Sequence, residues 1–112
     1  MGFTRYWVRP AELEAERFSA FSKACQEACQ EYRECIFDPR FTDDEVAFDG
    51  WPDCEPFVIE RISGNAWREN RKRENGIFEF CKTQRLPYDV AVAKCLKLLK
   101  THFPEVEVPE PS

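Results

Sequence analysis

The sequence lacks the features that mark several common classes of protein. It has only four glycines in 112 residues and no glycine-rich segment, which excludes a P-loop and a Rossmann dinucleotide fingerprint. No stretch of about 18 uncharged apolar residues occurs, so the sequence predicts no membrane-spanning helix. The opening MGFTRYWVRP contains no apolar run long enough for a secretory signal peptide. We therefore expect a cytoplasmic protein that is not attached to a membrane.

Histidine is equally scarce, which limits the metal sites that the chain can offer. His102 is the only histidine, and the six cysteines include no CxxC pair. Structural zinc sites usually take closely spaced pairs of ligands. Cys25 and Cys29, one helical turn apart, could form half of such a site, but free cysteine more often packs as a small apolar residue. We predict packed thiols in a reducing compartment, with no metal and no cofactor.

Apolar and charged residues are both plentiful. The apolar fraction is 43%, the aromatic fraction 14% and the charged fraction 33%, which together suit a folded domain with a substantial core. A chain of this length can bury roughly two thirds of its unfolded surface. The sequence therefore predicts one domain over residues 1–112, ending in a short acidic, proline-rich tail at 104–112.

The net charge of −5 is unevenly distributed along the chain. Residues 1–60 carry six basic and fourteen acidic side chains, whereas residues 61–103 carry ten basic and four acidic ones. The tail adds three acidic residues. One part of the domain is thus suited to anionic partners, while the other repels them.

Hydrophobic periodicity predicts an α+β fold. Apolar residues spaced at three and four predict amphipathic helices at 11–34 and 87–103. Residues 36–44, IFDPRFTDD, indicate a turn-rich connection. Strand patterns occur at 2–9, 45–50, 55–62 and 76–83, with a short edge strand after Pro104. The order β-α-β-β-β-α-β favours a two-layer sandwich, in which a mainly antiparallel sheet of four to five strands carries both helices on one face.

The segment FEFCKTQRLPYD, residues 78–89, contains the candidate ligand-binding site. Lys82, Thr83 and Arg85 lie where a strand gives way to a helix, and the free N–H groups and helix dipole at such a junction favour anions. Tyr6 or Trp7 from the first strand could stack on a base or another ring. The full candidate set is Arg5, Tyr6, Trp7, Lys82, Thr83, Arg85, Tyr88 and Asp89.

A purely structural interpretation explains several of the same residues. Pro87 suits the first turn of a helix, and Asp89 complements the helix dipole. Thr83 or Asp89 could cap the helix, which contributes about 1 kcal/mol. Both interpretations remain open at this point.

Residues 63–75, SGNAWRENRKREN, form the most polar part of the chain and predict an exposed loop or a long hairpin tip. Basic residues beside an aromatic ring can bind nucleic acid by charge and stacking, although Glu69 and Glu74 dilute the charge and favour a solvated loop. The candidate nucleic-acid set is Trp67, Arg68, Arg71, Lys72 and Arg73.

Two segments resemble the motifs of an uncharacterised family of small bacterial and phage proteins. GFTRYW at residues 2–7 is similar to the family's GYTHYW, and FCKTQRLPYD at 80–89 is similar to its FCKTARKPYD. The departures are Arg5 for the family's histidine, Gln84 for its alanine and Leu86 for its lysine. The resemblance implies a bacterial or phage source and a shared fold, and it brings no established activity.

Catalysis is the less favoured kind of function. His102 lies near the end of a helix, where a cation would complement the C-terminal dipole. Lys82 next to Cys81 could lower the pKa of the thiol, but successive strand residues point to opposite faces. Asp43 and Asp44 lie in a predicted turn without a recognisable partner.

Two hypotheses of function remain. The first is a non-enzymatic interaction protein, a phage or bacterial accessory protein that binds a host macromolecule, preferably a protein, through its acidic first half. The second is a binder, or less favourably a hydrolase, of a nucleotide or other phosphate-bearing small ligand at residues 82–89. Nucleic acid is the weakest of the partners considered.

Overall fold

A computed structural model of the protein describes residues 3–50 and 54–111. Gly2, the first residue of the predicted opening strand, and Ser112, at the end of the tail, lie outside the described residues. Two α-helices, α1 (Ala15–Ala28) and α2 (Asp89–His102), occur within these ranges. The strands are β1 (Thr4–Arg9), β2 (Phe37–Phe41), β3 (Glu45–Asp49), β4 (Phe57–Glu60), β5 (Lys72–Arg73) and β6 (Gly76–Lys82).

The strands form two antiparallel sheets, each with three strands. The first sheet has the order β1-β6-β5, with Tyr6 opposite Phe80 and Arg9 opposite Ile77. The second has the order β2-β3-β4. The α+β class is confirmed, but the single sheet of four to five strands and the order β-α-β-β-β-α-β are wrong. In the described chain the order is β-α-β-β-β-β-β-α.

Strand β2 lies where the sequence predicted a turn. Asp38 has a positive φ of 51°, and the pairing with β3 shifts register between Phe37 and Arg40. Pro39 donates no backbone hydrogen bond, which restricts it to an edge or an irregular strand. The Asp-Pro pair therefore marks an irregular edge strand here.

Helix α1 begins four residues later than the periodicity predicted. The Glu14 carboxylate caps the helix by accepting hydrogen bonds from the N–H groups of Glu16 and Arg17, at 2.9 and 3.1 Å. The residues before the cap pair with the chain after β4, because Leu13 N–H donates to the Arg61 carbonyl and Ser63 N–H to that of Ala11. The predicted helix also ends early, at Ala28, and continues as a 3₁₀ helix over Cys29–Tyr32.

The core lies between the helices and the inner faces of both sheets. Helices α1 and α2 pack together, with the Cys29 and Cys95 sulfurs 3.7 Å apart. The largest buried side chains include Trp7, Phe18, Phe21, Phe48, Phe57, Tyr88, Leu99 and Phe103. The chain after α2 joins this core, since Val106 is buried and Glu107 exchanges two backbone hydrogen bonds with Val8. Within the described residues, the edge strand predicted after Pro104 is reduced to this single pairing of Glu107 with Val8.

A buried polar network connects the two sheets. The Arg9 guanidinium is fully buried and donates to the carbonyls of Glu60 and Arg61 at the end of β4. It also lies 3.6 Å from the Glu79 carboxylate, which accepts hydrogen bonds from the indole of Trp7 at 3.0 Å and from the Ser63 hydroxyl at 2.6 Å. Burial lowers the pKa of Arg9 below its ordinary value, against the opposing effect of Glu79.

No helix in the described part of the chain is long and apolar enough to cross a membrane.

Candidate functional site

The junction between β6 and α2 is a tight turn in left-handed backbone. Gln84 and Arg85 have φ values of 53° and 57°, which neither residue adopts freely. The turn is held by backbone hydrogen bonds from Gln84 N–H to the Phe3 carbonyl and from Leu86 N–H to that of Thr83, each 3.0 Å. Asp89 N–H donates to the Leu86 carbonyl at 2.8 Å. Several of the N–H groups expected to be free for an anion are therefore already in use.

The Asp89 carboxylate is the centre of the junction. It accepts two hydrogen bonds from the Arg5 guanidinium, from Nε at 2.7 Å and from Nη2 at 2.9 Å, and a third from the Thr83 hydroxyl. Burial alone would raise the pKa of Asp89, but the hydrogen bonds from Arg5 and Thr83 outweigh it and hold the pKa below its ordinary value. This geometry joins the first strand to the last helix.

Most of the predicted ligand-binding residues are brought together, but several are occupied by the fold. Thr83 and Tyr88 are buried, and the Tyr88 hydroxyl donates to the Glu55 carbonyl at 2.7 Å. Lys82 and Arg85 are exposed, and the Arg85 guanidinium lies 4.4 Å from the centroid of the Phe3 ring.

The two aromatic candidates on β1 lie on opposite faces of the sheet. Trp7 is 1% exposed and its indole is hydrogen-bonded to Glu79, so it cannot stack on a ligand. Tyr6 lies on the outer face, away from the core. Only Tyr6 of this pair is available to a partner.

The outer face of the first sheet carries a cluster of half-buried aromatic rings. The centroid of the Tyr6 ring lies 5.9 Å from that of Phe78, and Phe78 lies 5.8 Å from Phe80. Strand alternation gives Lys82 the same face as Phe78 and Phe80. We call the surface formed by Tyr6, Phe78, Phe80, Arg71 and Arg73 the ring face.

Arginines from the polar segment 63–75 cover these rings. The Arg71 guanidinium lies 4.8 Å from the centroid of Phe80, and that of Arg73 lies 4.6 Å from Phe78. Neither arginine makes an ion pair with a carboxylate of residues 3–50 or 54–111. The Arg73 guanidinium does donate to the backbone carbonyls of Asn70 and Lys72, at 3.0 and 2.9 Å, but these neutral acceptors leave its charge uncompensated, so both charges can attract an anionic partner.

The other members of the predicted nucleic-acid set are arranged differently. Trp67 is 74% exposed, with the Arg68 guanidinium 5.3 Å from its ring. Lys72 instead pairs with Glu69 at 2.9 Å. The segment is not one open loop, since it contains a 3₁₀ helix over Glu69–Arg71 and the short strand β5.

Sequence reasoning missed Phe78 and Phe80 as surface residues. The alternation in GIFEFCKT separates them from Ile77, Glu79 and Cys81, but alternation alone does not decide which of the two faces meets water. The buried face is the mixed one, because Glu79 has buried hydrogen-bond partners. The lysine that shares the face of the two rings was the available signal.

The four buried cysteines are poor candidates for catalysis. Burial raises the pKa of the Cys81 thiol to about 12, so the reactive thiolate is scarce near neutral pH. Cys25, Cys29 and Cys95 are buried between the helices. No group of three or more potential ligands in the described residues could hold a metal ion.

No protein-family model matches the chain, and comparisons with curated proteins and with solved structures find no match. The resemblance carried by the two motifs therefore stays a prediction.

Proposed function

We propose that the protein is a non-enzymatic bacterial or phage accessory protein that binds a host macromolecule through the ring face. The observation that carries the proposal is the pairing of half-buried rings with arginines that have no described carboxylate partner. Aromatic residues and arginine are enriched where proteins contact their partners. The bacterial or phage source rests on the two motifs alone.

Stability gives little reason to keep these groups at the surface. A cation–π contact at an exposed site contributes about 0.5–1 kcal/mol. Burying the rings of Phe78 and Phe80 in a core would contribute more, about 1.5–3 kcal/mol for each side chain. The same side chains would contribute more free energy in a complex than at the free surface, because a partner removes the remaining ring surface from water.

The acidic first half, which the sequence favoured as the contact surface, is partly neutralised within the fold. Arg17 lies 3.5 Å from Glu14, and Arg40 pairs with Glu45 at 3.1 Å. Arg61 lies 3.4 Å from Glu12. These pairs reduce the field that the acidic side chains would direct at a partner.

A binding role without catalysis also fits the thiols. The raised pKa of Cys81 disfavours nucleophilic attack, and its sulfur faces the Tyr88 hydroxyl and the Glu55 carbonyl inside the fold.

A phosphate-bearing small ligand at residues 82–89 is the weaker alternative. Lys82 and Arg85 are exposed and favour it. However, Arg5 and Thr83 already donate hydrogen bonds to the Asp89 carboxylate. A phosphate could bind either of them only by replacing that carboxylate. Such a ligand would rely on Lys82 and Arg85 alone.

Site-specific photo-crosslinking in bacterial cells tests the proposal. A benzoylphenylalanine at position 6 would lie on the ring face and keep both arginines and an aromatic ring there, and one at position 37 would lie on β2 of the second sheet as a matched control. Phe37 is 43% exposed, so the control position is accessible. We expect a discrete high-mass adduct from position 6 and none from position 37. Equal labelling from both positions, or none from position 6, would contradict the proposal.

A further inference from the structure

We infer that the macromolecule bound by the ring face is a single strand of nucleic acid, held by base stacking and phosphate contacts and without preference for ribose or deoxyribose. The inference rests on the proposed function, because it identifies the partner of the same surface. It shares Lys82 with the alternative site at residues 82–89, but it needs neither Arg85 nor the Arg5–Asp89 junction.

The spacing of the rings fits unstacked bases. Adjacent ring centroids are 5.8 and 5.9 Å apart, whereas bases along one strand of a duplex are separated by about 3.4 Å. Bases spread to the wider spacing expose their flat faces. Aromatic rings on the open face of a sheet are a recurring platform for two or three such bases.

The arginines cover Phe78 and Phe80, and they add both charge and planar surface to the platform. A base can stack on a guanidinium plane as well as on an aromatic ring. Arg73 over Phe78 and Arg71 over Phe80 therefore present planar cations on which a base can stack. Arg73 would turn toward a phosphate only by giving up its hydrogen bonds to the carbonyls of Asn70 and Lys72. Lys82, exposed on the same face, supplies a third cation along β6.

Three other occupants fit this surface less well. A second copy of the chain would bring like charges together, since each copy carries Arg71 and Arg73 on the ring face and Lys82 beside it. Double-stranded nucleic acid would offer its phosphates, but its base faces are stacked on each other and closed to Tyr6 and the two phenylalanines. An acidic peptide has charge to offer but no comparable planar groups.

Fluorescence anisotropy on the intact chain tests the inference. The probes are labelled oligo(dT) and oligo(U) of about ten nucleotides, with a labelled duplex for comparison. We expect both single strands to bind with affinities within about threefold of each other, and the duplex to bind at least about tenfold more weakly. Three cations predict that log K falls against log salt with a slope of about −2.

Substitutions separate stacking from charge. Phe78→Thr and Phe80→Thr keep a residue that favours strands and should each weaken single-strand binding about tenfold. Phe37→Thr, a matched ring on the second sheet, should leave binding unchanged. Arg73→Gln removes one cation of the ring face together with its hydrogen bonds to the carbonyls of Asn70 and Lys72. It should reduce the salt slope by about 0.7 even if the ring variants fail to fold.

The inference is overturned if no oligonucleotide binds at low salt, if the duplex binds as tightly as the single strands, or if Phe37→Thr is as harmful as Phe80→Thr. The crosslinking at position 6 then decides whether the proposed function stands. A protein or lipid adduct would leave a binding role for the ring face with a different partner. The absence of any adduct would remove both proposals together.

Discussion

Replacing Asp89 tests whether the junction between β6 and α2 is held for stability or for a ligand. Asp89→Ala removes the acceptor of two hydrogen bonds from Arg5 and one from Thr83. The side chains of Arg5 and Asp89 are only 21% and 13% exposed, so water replaces the lost contacts poorly.

The expected loss follows from these contacts. Hydrogen bonds to a charged group contribute about 1.5–3 kcal/mol. A carboxylate in the first turn of a helix adds about 0.3–1 kcal/mol through the helix dipole. We therefore expect Asp89→Ala to lower the free energy of unfolding by about 2–4 kcal/mol, a large part of the 5–15 kcal/mol typical of a domain.

The effect should depend on pH in a defined direction. The pKa of Asp89 lies lower in the folded chain than its ordinary value of 3.8, so its ionised form stabilises the fold above that value. This contribution is lost as the pH falls through the folded pKa. The difference in stability between the native chain and Asp89→Asn should thus be constant between about pH 5 and 7 and should shrink below about pH 4.

Urea denaturation followed by circular dichroism at pH 7, 5 and 3 measures these differences. Glu74→Ala, which removes an exposed carboxylate, is the matched control and should change the stability by less than about 0.5 kcal/mol. If Asp89→Ala is as mild as the control, or if the Asp89→Asn difference is unchanged at pH 3, the structural role assigned to Asp89 is wrong.

Two further predictions concern the buried network and the exposed cations. Glu79→Ala should destabilise the fold by about 3–5 kcal/mol, because it leaves the buried Arg9 without its carboxylate. Chemical denaturation measures this loss, and a value below about 1 kcal/mol would contradict the role assigned to Glu79. If a phosphate compound binds at residues 82–89, a nucleotide should raise the melting temperature, and Lys82→Ala with Arg85→Ala should abolish the rise. Absence of any shift in the native chain would exclude this alternative.

Much of the fold could be predicted because local patterns match local structure. The strands at β1, β3, β4 and β6, and the helix α2, follow from alternation or from apolar residues at three and four. The start of α1 could not be predicted, because residues 11–13 are recruited by the chain after β4. These backbone hydrogen bonds join segments about fifty residues apart in the sequence, and local periodicity carries no information about such contacts.

The sequence identified several residues of the candidate site but not how the fold arranges them. The cations of segments 68–73 and 82–85 were identified, but Arg5 was expected beside a ligand and instead pairs with Asp89. Phe78 and Phe80 were assigned to no site, because their exposure depends on the inner face of β6 being filled by Glu79 and its buried partners. Only the pairing of distant segments determines which face of a strand meets water.

The position of β1 has a consequence for folding during synthesis. Its neighbours in the sheet are β6 on one side and Glu107 on the other, so the partner strand emerges about 70 residues later. At a synthesis rate of about 5–20 residues per second, TRYWVR stays unpaired on both edges for about 4–15 s. During that time its aromatic and β-branched residues are open to chaperones and to other nascent chains. The fold therefore completes late, when the second half of the chain closes over the first.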